Sequence, residues 1–343
     1  GGQRVCKEMS RIFAERGHDV RIVIPRGRRS GADVPGVEIV EAGPNLKNPA
    51  LTITAALPFM LTAMGKRDVI VSSMPFMGWL NYLRRDAKLH YHLVQSDEYR
   101  LFDTHPGMTS PIALSLYKQT VLSSYRLPLK FLINSAWSGE QFRRHTRKSY
   151  EILPAGVDNN IFHPVPGLNT RPGLIAAYGR SAGLKGMDDL IRALKVLRQK
   201  GKQFKLRLIN RQRLFVDADF PLEQVIPGSD QELARLLGEC GLFVAASHYE
   251  GFYLPELEAM AMSIPVAMTD SGGCREYAVS GENCLLTPPG QPQALADAME
   301  KLLEDGKLRQ KFRERGLETA RKFSWSTIID RFLKIVERDM QAG

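Results

Sequence analysis

The chain has 343 residues, enough for two domains that each bury a core of their own. Hydrophobic residues make up 43% and charged residues 24%, ordinary proportions that exclude a largely disordered chain. The net charge of +10 is compatible with nucleic acid, but the Lys and Arg residues are dispersed rather than grouped with aromatic residues, so we expect no nucleic-acid partner.

Strand-like and helix-like segments alternate through the first half, a pattern typical of a parallel sheet covered by helices on both faces. Helices are predicted at residues 4–17, 49–65 and 109–125, and strands at residues 19–24, 36–40, 68–72, 89–95 and 131–134. The chain opens with Gly1-Gly2 and enters the first helix directly, whereas a doubly wound domain normally begins with a strand. We therefore expect a first strand of about 5–10 residues to be missing, and the longer chain to be more stable.

The second half repeats the alternation. Strands are predicted at residues 174–178, 205–209, 242–246, 265–269 and 284–287, and helices at residues 187–200, 229–240, 291–304 and 307–322, with further helices from Pro255 and after Ser324. Two prolines and a glycine at residues 162–169 mark a linker. We predict an α/β fold of two doubly wound Rossmann-like domains with a cleft between them. The acceptor-side domain spans residues 1–165 and the donor-binding domain residues 166–324, and a closing helix at residues 325–343 packs back on the first.

The distribution of charged residues and the spacing of the cysteines suggest where in the cell the protein is found. Residues 1–165 hold 22 Lys and Arg against 14 Asp and Glu, whereas the remaining residues hold 25 against 23. This surplus favours an anionic acceptor, or peripheral contact with the inner face of a membrane. The longest apolar stretch, residues 49–65, is too short to span a bilayer. Four cysteines without CxxC spacing argue against a zinc site or a disulfide framework and favour the cytoplasm.

The most informative run, residues 248–261, joins a predicted strand to a predicted helix. Pro255 suits the first helical position, and the N–H groups of the turn and of the helix start form an anion site. Glu250 and Glu258 stand eight residues apart around this turn, where carboxylates can bind hydroxyl groups. A nucleotide-sugar, with phosphates at one end and sugar diols at the other, fits this chemistry. Acidic residues near a helix start also complement its dipole, and we assign Glu256 to that role alone.

Two further loops follow predicted strands. Arg180 and Lys185, each beside a glycine, can neutralise a diphosphate, although solvated surface charge is the alternative. Gly272-Gly273 can present backbone N–H groups to a phosphate. Asp188-Asp189 lies within a predicted helix and is interpreted as a solvated face, so we predict no metal site.

These motifs resemble, in order, those of the retaining glycosyltransferases with the GT-B fold, in particular family 4 (glycosyl transferases group 1). The run from Glu250 to Ala261 resembles the family's E-x7-E signature, and Arg180 with Lys185 resembles its paired donor-phosphate cations. The resemblance continues through residues 152–158, 272–276, 281–286 and 323–325. It implies transfer from a nucleotide-sugar to a hydroxyl of a glycan, glycolipid or polysaccharide, with retention at the anomeric carbon and without a metal or other cofactor.

The resemblance also implies roles for individual residues. Glu250 faces the donor sugar and Glu258 binds the ribose diol. Arg180 and Lys185 hold the diphosphate. Further donor contacts are implied for Gly2, Gly251, Phe252, Tyr253, Leu254, Gly272 and Gly273.

Two departures from the family's pattern concern the sugar and acceptor sides. Tyr253 stands where the family commonly has Gly, so we expect it to tune the sugar pocket. The strand at residues 89–95 lacks the family's terminal His. Gln95 or Glu98 takes the place of this His, as in some rhamnosyltransferase-like members, and His92 is assigned to the core.

Two alternatives remain open: a GT-B nucleotide-sugar epimerase, and a non-catalytic subunit that binds a nucleotide-sugar.

Overall fold

The computed structural model describes residues 2–27, 33–47, 49–100, 110–179 and 185–342. The chain forms two compact units. Among these described residues, unit 1 comprises those between 2 and 100, those from 110 to 155 and those from 325 to 342, and unit 2 comprises those between 156 and 324. Both units alternate strands with helices. Among the described residues, no helix combines the length and the apolar character needed to cross a bilayer.

Unit 1 contains two parallel sheets and six helices among its described residues. The helices are α1 (Gly2–Glu15), α2 (Pro49–Ala63), α3 (Pro75–Leu83), α4 (Pro111–Ser124), α5 (Ala136–Arg143) and the closing helix α11 (Trp325–Gln341). The strands are β1 (Val20–Pro25), β2 (Val37–Ala42), β3 (Val69–Ser72), β4 (Leu89–Val94), β5 (Lys130–Ile133) and β6 (Tyr150–Ile152). One sheet pairs β1 with β2, and the other has the order β3-β4-β5-β6. The expectation of a missing first strand stays a prediction.

The closing helix belongs to unit 1, where polar contacts join it to β4 and to the residue that follows α1. The hydroxyl of Tyr91, in β4, donates to Asp339 Oδ2 at 2.7 Å. Arg16, just after α1, donates to Asp330 Oδ1 at 2.6 Å. Phe332 packs edge-to-face on the Tyr91 ring. The closing helix thus packs against the four-stranded sheet of unit 1 and contacts the residue that follows α1.

The boundary between the units lies earlier than the sequence pattern predicts. Unit 2 begins at Gly156 rather than near residue 166. The reason is that Val157 and Phe162 are buried in the core of unit 2. The backbone N–H of Val157 also donates to the carbonyl of Phe323 at 2.8 Å. Residues 156–165 are therefore part of the second domain and not a linker.

Unit 2 is a doubly wound domain around one six-stranded parallel sheet. Its strands are β7 (Arg171–Tyr178), β8 (Lys205–Ile209), β9 (Leu222–Val225), β10 (Cys240–Ala245), β11 (Val266–Thr269) and β12 (Leu285–Thr287). Its helices are α6 (Met187–Gln199), α7 (Asp230–Gly238), α8 (Leu254–Ala261), α9 (Pro292–Glu304) and α10 (Gly306–Lys322). The strand order is β12-β11-β10-β7-β8-β9, so the winding reverses between β7 and β10. Ligands of open α/β sheets bind in the crevice at the carboxyl ends of the strands at such a switch point.

Candidate functional site

The crevice of unit 2 lies where the loop after β7 meets the loop after β10, because these two strands are paired neighbours. Gly186 caps α6 with a φ of 64°, in the left-handed region that favours glycine. A Cβ atom at this position would stand 1.8 Å from the carbonyl oxygen of Ala246. The two loops therefore approach so closely that only glycine fits, and this contact fixes the floor of the crevice.

Lys185 and Glu250 face each other across this crevice. Lys185 Nζ lies 2.7 Å from Glu250 Oε1, and the side chain of Glu250 is nearly buried. Ser247 Oγ donates to the same carboxylate oxygen at 3.2 Å. The backbone of Glu250 is held as well, because its N–H donates to Ser271 and its carbonyl accepts from Gly273, both at 2.9 Å. The carboxylate predicted to bind the sugar and one cation predicted to bind the diphosphate are thus in direct contact.

Arg180, the second predicted cation, lies outside the described residues. Gly179 before it is described, and a Cβ atom there would stand 1.8 Å from Asn210 Oδ1. Gly179, just after β7, is therefore packed tightly against the residue that follows β8. The assignment of Arg180 to the diphosphate stays a prediction.

The glycine pair at residues 272–273 lies beside the crevice, but its N–H groups have partners within the chain. The N–H of Gly273 donates to the carbonyl of Glu250 at 2.9 Å. The N–H of Gly272 donates to Asp270 Oδ1 at 3.2 Å. A Cβ atom at Gly273 would stand 2.0 Å from the carbonyl oxygen of Gly251. The interpretation of this pair as a phosphate-binding turn is corrected: these glycines allow the loops after β10 and β11 to touch.

Helix α8 begins directly beyond the crevice and places Glu258 in its second turn. The Glu258 carboxylate is buried and accepts a hydrogen bond from the Tyr178 hydroxyl at 3.3 Å. The side chain of the N-cap residue Tyr253 makes no capping hydrogen bond to α8. A helix start carries partial positive charge that favours an anion. Glu258 and the start of α8 are therefore chemically suited to their predicted roles, which are to bind the ribose diol and the diphosphate.

Tyr253 is the N-cap residue of α8, and its side chain is only 5% exposed. The ring packs in the main hydrophobic core of unit 2, together with Leu257 and Tyr277. The expectation that this side chain narrows the sugar pocket is therefore corrected, because an aromatic ring gains more from burial in this core than from facing water. Leu254 is likewise buried, so both residues have only their backbone to offer a donor.

Glu256 is fully buried, and its assignment to helix-end electrostatics alone is wrong. The Tyr277 hydroxyl donates to Glu256 Oε2 at 2.5 Å. Burial raises the pKa of the Glu256 carboxyl to about 8, the Tyr277 hydrogen bond opposes this shift, and the charge of Glu250 adds to it. A carboxylate in water would complement the helix dipole, but this one lies inside the domain.

The prediction that Asp189 lies on a solvated helix face is wrong as well. It lies in the first turn of α6, is buried, and places Oδ2 2.5 Å from His248 Nε2. The sequence pattern does not reveal this pair, because Asp189 and His248 are 59 residues apart and each resembles an ordinary surface residue. It crosses the same crevice as the pair of Lys185 and Glu250.

The predicted acceptor-side residues lie in unit 1, at the carboxyl end of β4. Gly2, which is predicted to contact the donor, lies against Gln95, since a Cβ atom at Gly2 would stand 3.1 Å from the Gln95 amide. Glu98 is buried and accepts from the Tyr125 hydroxyl at 3.1 Å. The placement of Glu98 and Gln95 on the acceptor side stays a prediction.

His92 lies beneath these residues. It is fully buried, with Nδ1 2.8 Å from Ser72 Oγ and Nε2 3.6 Å from Glu98 Oε2. The assignment of His92 to the core is confirmed. Burial, together with the charge of Glu98, raises the pKa of the Tyr125 hydroxyl, so that this group remains a proton donor to Glu98.

Two family models together match nearly the whole chain. The model for glycosyltransferase family 4 matches residues 1–160, and that for glycosyl transferases group 1 matches residues 158–319. An uncharacterised glycosyltransferase of Methanocaldococcus jannaschii is 30% identical over 309 residues, which cover 79% of this chain and 85% of that protein. The chain belongs to glycosyltransferase family 4, within the glycosyl transferases group 1.

Other relatives match this family 4 chain over part of their length. The MMP alpha-(1->4)-mannosyltransferase of Mycolicibacterium hassiacum is 28% identical over 202 residues, 54% of this chain and 48% of that protein. The chain thus spans about half the length of this relative.

Solved structures of similar proteins show the fold. Sucrose-phosphate synthase from Thermosynechococcus elongatus has a TM-score of 0.84 at 19% identity and covers 100% of this chain and 94% of its own. HepE of Anabaena, solved with UDP-glucose, has a TM-score of 0.75 at 18% identity and covers 98% of this chain and 96% of its own. The family 4 chain therefore has the GT-B fold, with two Rossmann-like units.

Proposed function

We propose that this family 4 chain is a retaining glycosyltransferase that moves a sugar from a nucleotide-sugar donor to a hydroxyl group of an acceptor. The single observation that carries the proposal is the pair of Lys185 and Glu250, 2.7 Å apart at the switch point of the sheet in unit 2. A cation and a carboxylate at this position match the two ends of a donor, a diphosphate and a sugar. Family membership supports the same reaction class.

The proposed mechanism uses Lys185 for charge stabilisation. The Lys185 ammonium leaves the Glu250 carboxylate and binds the donor diphosphate. Glu250 is then free to accept hydrogen bonds from the sugar hydroxyls. Arg180 is proposed as the second cation. As the bond from the anomeric carbon to the phosphate oxygen breaks, both cations stabilise the negative charge that develops on the leaving group. The acceptor hydroxyl attacks the same face of the sugar and passes its proton to the departing phosphate oxygen, which gives retention without a metal or other cofactor.

The donor side of the proposal rests on α8 and its surroundings. Glu258, held by Tyr178, is proposed to bind the ribose diol, and the start of α8 to face the diphosphate. HepE, a structural neighbour, was solved with UDP-glucose, so UDP-sugars are the first donors to test. The acceptor side is proposed to lie near Gln95 in unit 1, with Gly2 beside it.

A donor screen tests the proposal. UDP-, GDP-, ADP- and dTDP-sugars are added to the protein, and the melting temperature is measured with each. The sugars of one nucleotide class are expected to raise the melting temperature, because a ligand present at 100 times its Kd stabilises the folded state by about 2.7 kcal/mol. NMR of the product with that donor is then expected to show the donor's anomeric configuration retained. Inversion of that configuration would contradict the retaining mechanism.

The same screen separates the alternatives. Conversion of the sugar of the donor to its epimer, without transfer, would identify an epimerase. Binding of a donor without hydrolysis or transfer to any glycan or lipid acceptor would identify a non-catalytic subunit. The buried network around Glu250 favours an enzyme, since Ser247 and Lys185 both hold one carboxylate oxygen in place.

A partly exposed apolar face on α3 and α4 bears on the acceptor. Ile112 and Leu116 on α4 are 74% and 64% exposed, and Trp79 and Leu83 on α3 are also exposed. The two helices are packed together, with Trp79 Nε1 donating to Ser123 Oγ at 3.1 Å. Because each helix connects two parallel strands, its start lies at the sheet edge where the strands end. Ile112, near the start of α4, therefore lies at the edge that carries the proposed acceptor side.

We propose that this face of α3 and α4 contacts an anionic lipid surface at the cytoplasmic side of a membrane. Residues 1–165 as a whole carry a basic surplus that an anionic surface attracts, and exposed Trp and aliphatic side chains suit the lipid interface. Such contact would bring a lipid-linked glycan acceptor to unit 1. Binding to vesicles by variants of α4 tests this proposal.

A further inference from the structure

Two polar pairs cross the crevice of unit 2 side by side. Lys185 Nζ lies 2.7 Å from Glu250 Oε1, and His248 Nε2 lies 2.5 Å from Asp189 Oδ2. Both pairs join the segment at the start of α6 to the loop between β10 and α8. Lys185 and Asp189 lie four residues apart on the first segment, and His248 and Glu250 lie two residues apart on the second.

The two pairs differ in what donor binding demands of them. In the proposed function, Lys185 exchanges the Glu250 carboxylate for the donor diphosphate, so this pair opens in every catalytic cycle. Nothing in that chemistry requires His248 to leave Asp189. The second pair can therefore remain closed while the first one opens.

The second pair is also anchored on both sides. The side chain of Asp189 is 10% exposed, and α6 is fixed by the buried residue Leu190 beside it. On the other side, Thr269 Oγ1 donates to the carbonyl of Ser247, next to His248, at 2.6 Å. A hydrogen bond between two anchored groups of this kind holds the distance between their backbones with little loss of entropy.

We propose that His248 is a positioning residue for the donor site. Its hydrogen bond to Asp189 keeps the loop after β10 against the start of α6 while Lys185 transfers from Glu250 to the diphosphate. Glu250 then stays in place to receive the sugar, although its own ion pair has opened. This inference rests on the proposed function and adds a residue to its donor site.

Two polar replacements of His248 provide a matched test, because they differ in where they place a nitrogen. The Gln side-chain nitrogen can take the position of Nε2, which contacts Asp189, whereas the shorter Asn places its nitrogen near the position of Nδ1. His248→Asn is expected to raise the KM for the donor about tenfold, with kcat changed much less, because one hydrogen bond to a charged group is lost. His248→Gln is expected to stay within about threefold of wild type by the same reasoning.

Two further variants complete the experiment. Asp189→Ala is expected to raise the donor KM as His248→Asn does, and the double variant is expected to be no worse than either single variant, because both remove the same interaction. Lys195→Ala is the control on the same helix, where it breaks an exposed pair with Asp217 at 2.8 Å, and is expected to leave the donor KM unchanged.

An unchanged donor KM in His248→Asn, or equal KM values for the Asn and Gln variants, would overturn the proposal. Fully additive effects of the His248 and Asp189 variants would overturn it as well. Failure of the proposed function looks different, since the wild-type protein itself would then show no transfer from any donor.

Discussion

At the scale of single residues, Glu256 is the most unusual group in unit 2. It is fully buried between the Tyr277 hydroxyl and the core, and among the described residues its Oε1 meets no hydrogen-bond partner. Burial raises the pKa of its carboxyl from 4.5 to about 8. The folded protein therefore holds a proton that the unfolded chain releases above about pH 4.5. Stability from this group is complete below pH 4.5 and is lost as the pH rises to about 8.

Glu256→Gln tests this effect, because Gln resembles the protonated carboxyl but does not titrate. The wild-type melting temperature is expected to fall between pH 6 and pH 8 more steeply than that of the variant, measured by scanning fluorimetry. A pKa raised from 4.5 to about 8 corresponds to at most about 5 kcal/mol. Glu318→Gln, at an exposed position on α10, is the control and is expected to keep the wild-type pH dependence. Parallel pH profiles for wild type and Glu256→Gln would show that Glu256 does not titrate in this range.

The order of the motifs along the chain and their resemblance to the family assigned Lys185 and Glu250 to one donor site, and the two side chains lie 2.7 Å apart, although the sequence did not predict their ion pair. Burial could not be predicted in the same way. Tyr253, Glu256 and Glu98 all stand next to turns in the sequence, where side chains are commonly exposed, yet each is buried. What decides their placement is a partner distant in sequence, such as Tyr277 for Glu256.

At the scale of elements, long segments with strong periodicity were predictable, and so were short strands that form continuous apolar runs, whereas other short elements were not. The strands of unit 2 stand out as apolar runs because both faces of a parallel sheet are covered. The sequence pattern does not predict α3, α5, β6 or β9, which have three to nine residues each. So short a segment contains too few residues to show the hydrophobic periodicity of a helix or a strand, and its structure is decided by tertiary contacts. α3 is an example, since Asn81 donates to the backbone of Tyr91 at 2.7 Å.

The apolar face of α3 and α4 leads to a prediction about these helices. Ile112→Ser combined with Leu116→Ser is expected to weaken binding to anionic phospholipid vesicles about tenfold or more, because two exposed aliphatic side chains no longer enter the interface. Co-sedimentation measures the bound fraction. Added salt is expected to weaken wild-type binding further, since it screens the basic surplus. Phe215→Ser, which removes a 98% exposed ring from unit 2, is the control and is expected to bind as wild type does.

Two outcomes would contradict the membrane proposal. One is that wild-type protein does not bind anionic vesicles. The other is that the Ile112 and Leu116 variant binds vesicles normally but changes the oligomeric state in solution, which would show that this face pairs two copies of the chain.

At the scale of the whole molecule, the two units divide the predicted roles between them. Unit 2 holds the described part of the proposed donor site, and unit 1 holds Gln95 and the partly exposed apolar face. Alternation of strands and helices predicted this two-domain class. The exact boundary was not predictable, because the prolines near residue 165 resemble a linker while Val157 and Phe162, just before them, are buried in unit 2.

The central claim is that the cation at the switch point of unit 2 stabilises a leaving nucleotide diphosphate. It is tested most directly by the kcat/KM of Lys185→Ala with the donor that the screen identifies, beside Lys195→Ala as a control on α6. We expect a loss on the order of 10²-fold for Lys185→Ala and for Arg180→Ala, as for removal of one charge-stabilising donor, and near-wild-type values for Lys195→Ala. A near-wild-type kcat/KM in both Lys185→Ala and Arg180→Ala would contradict the account.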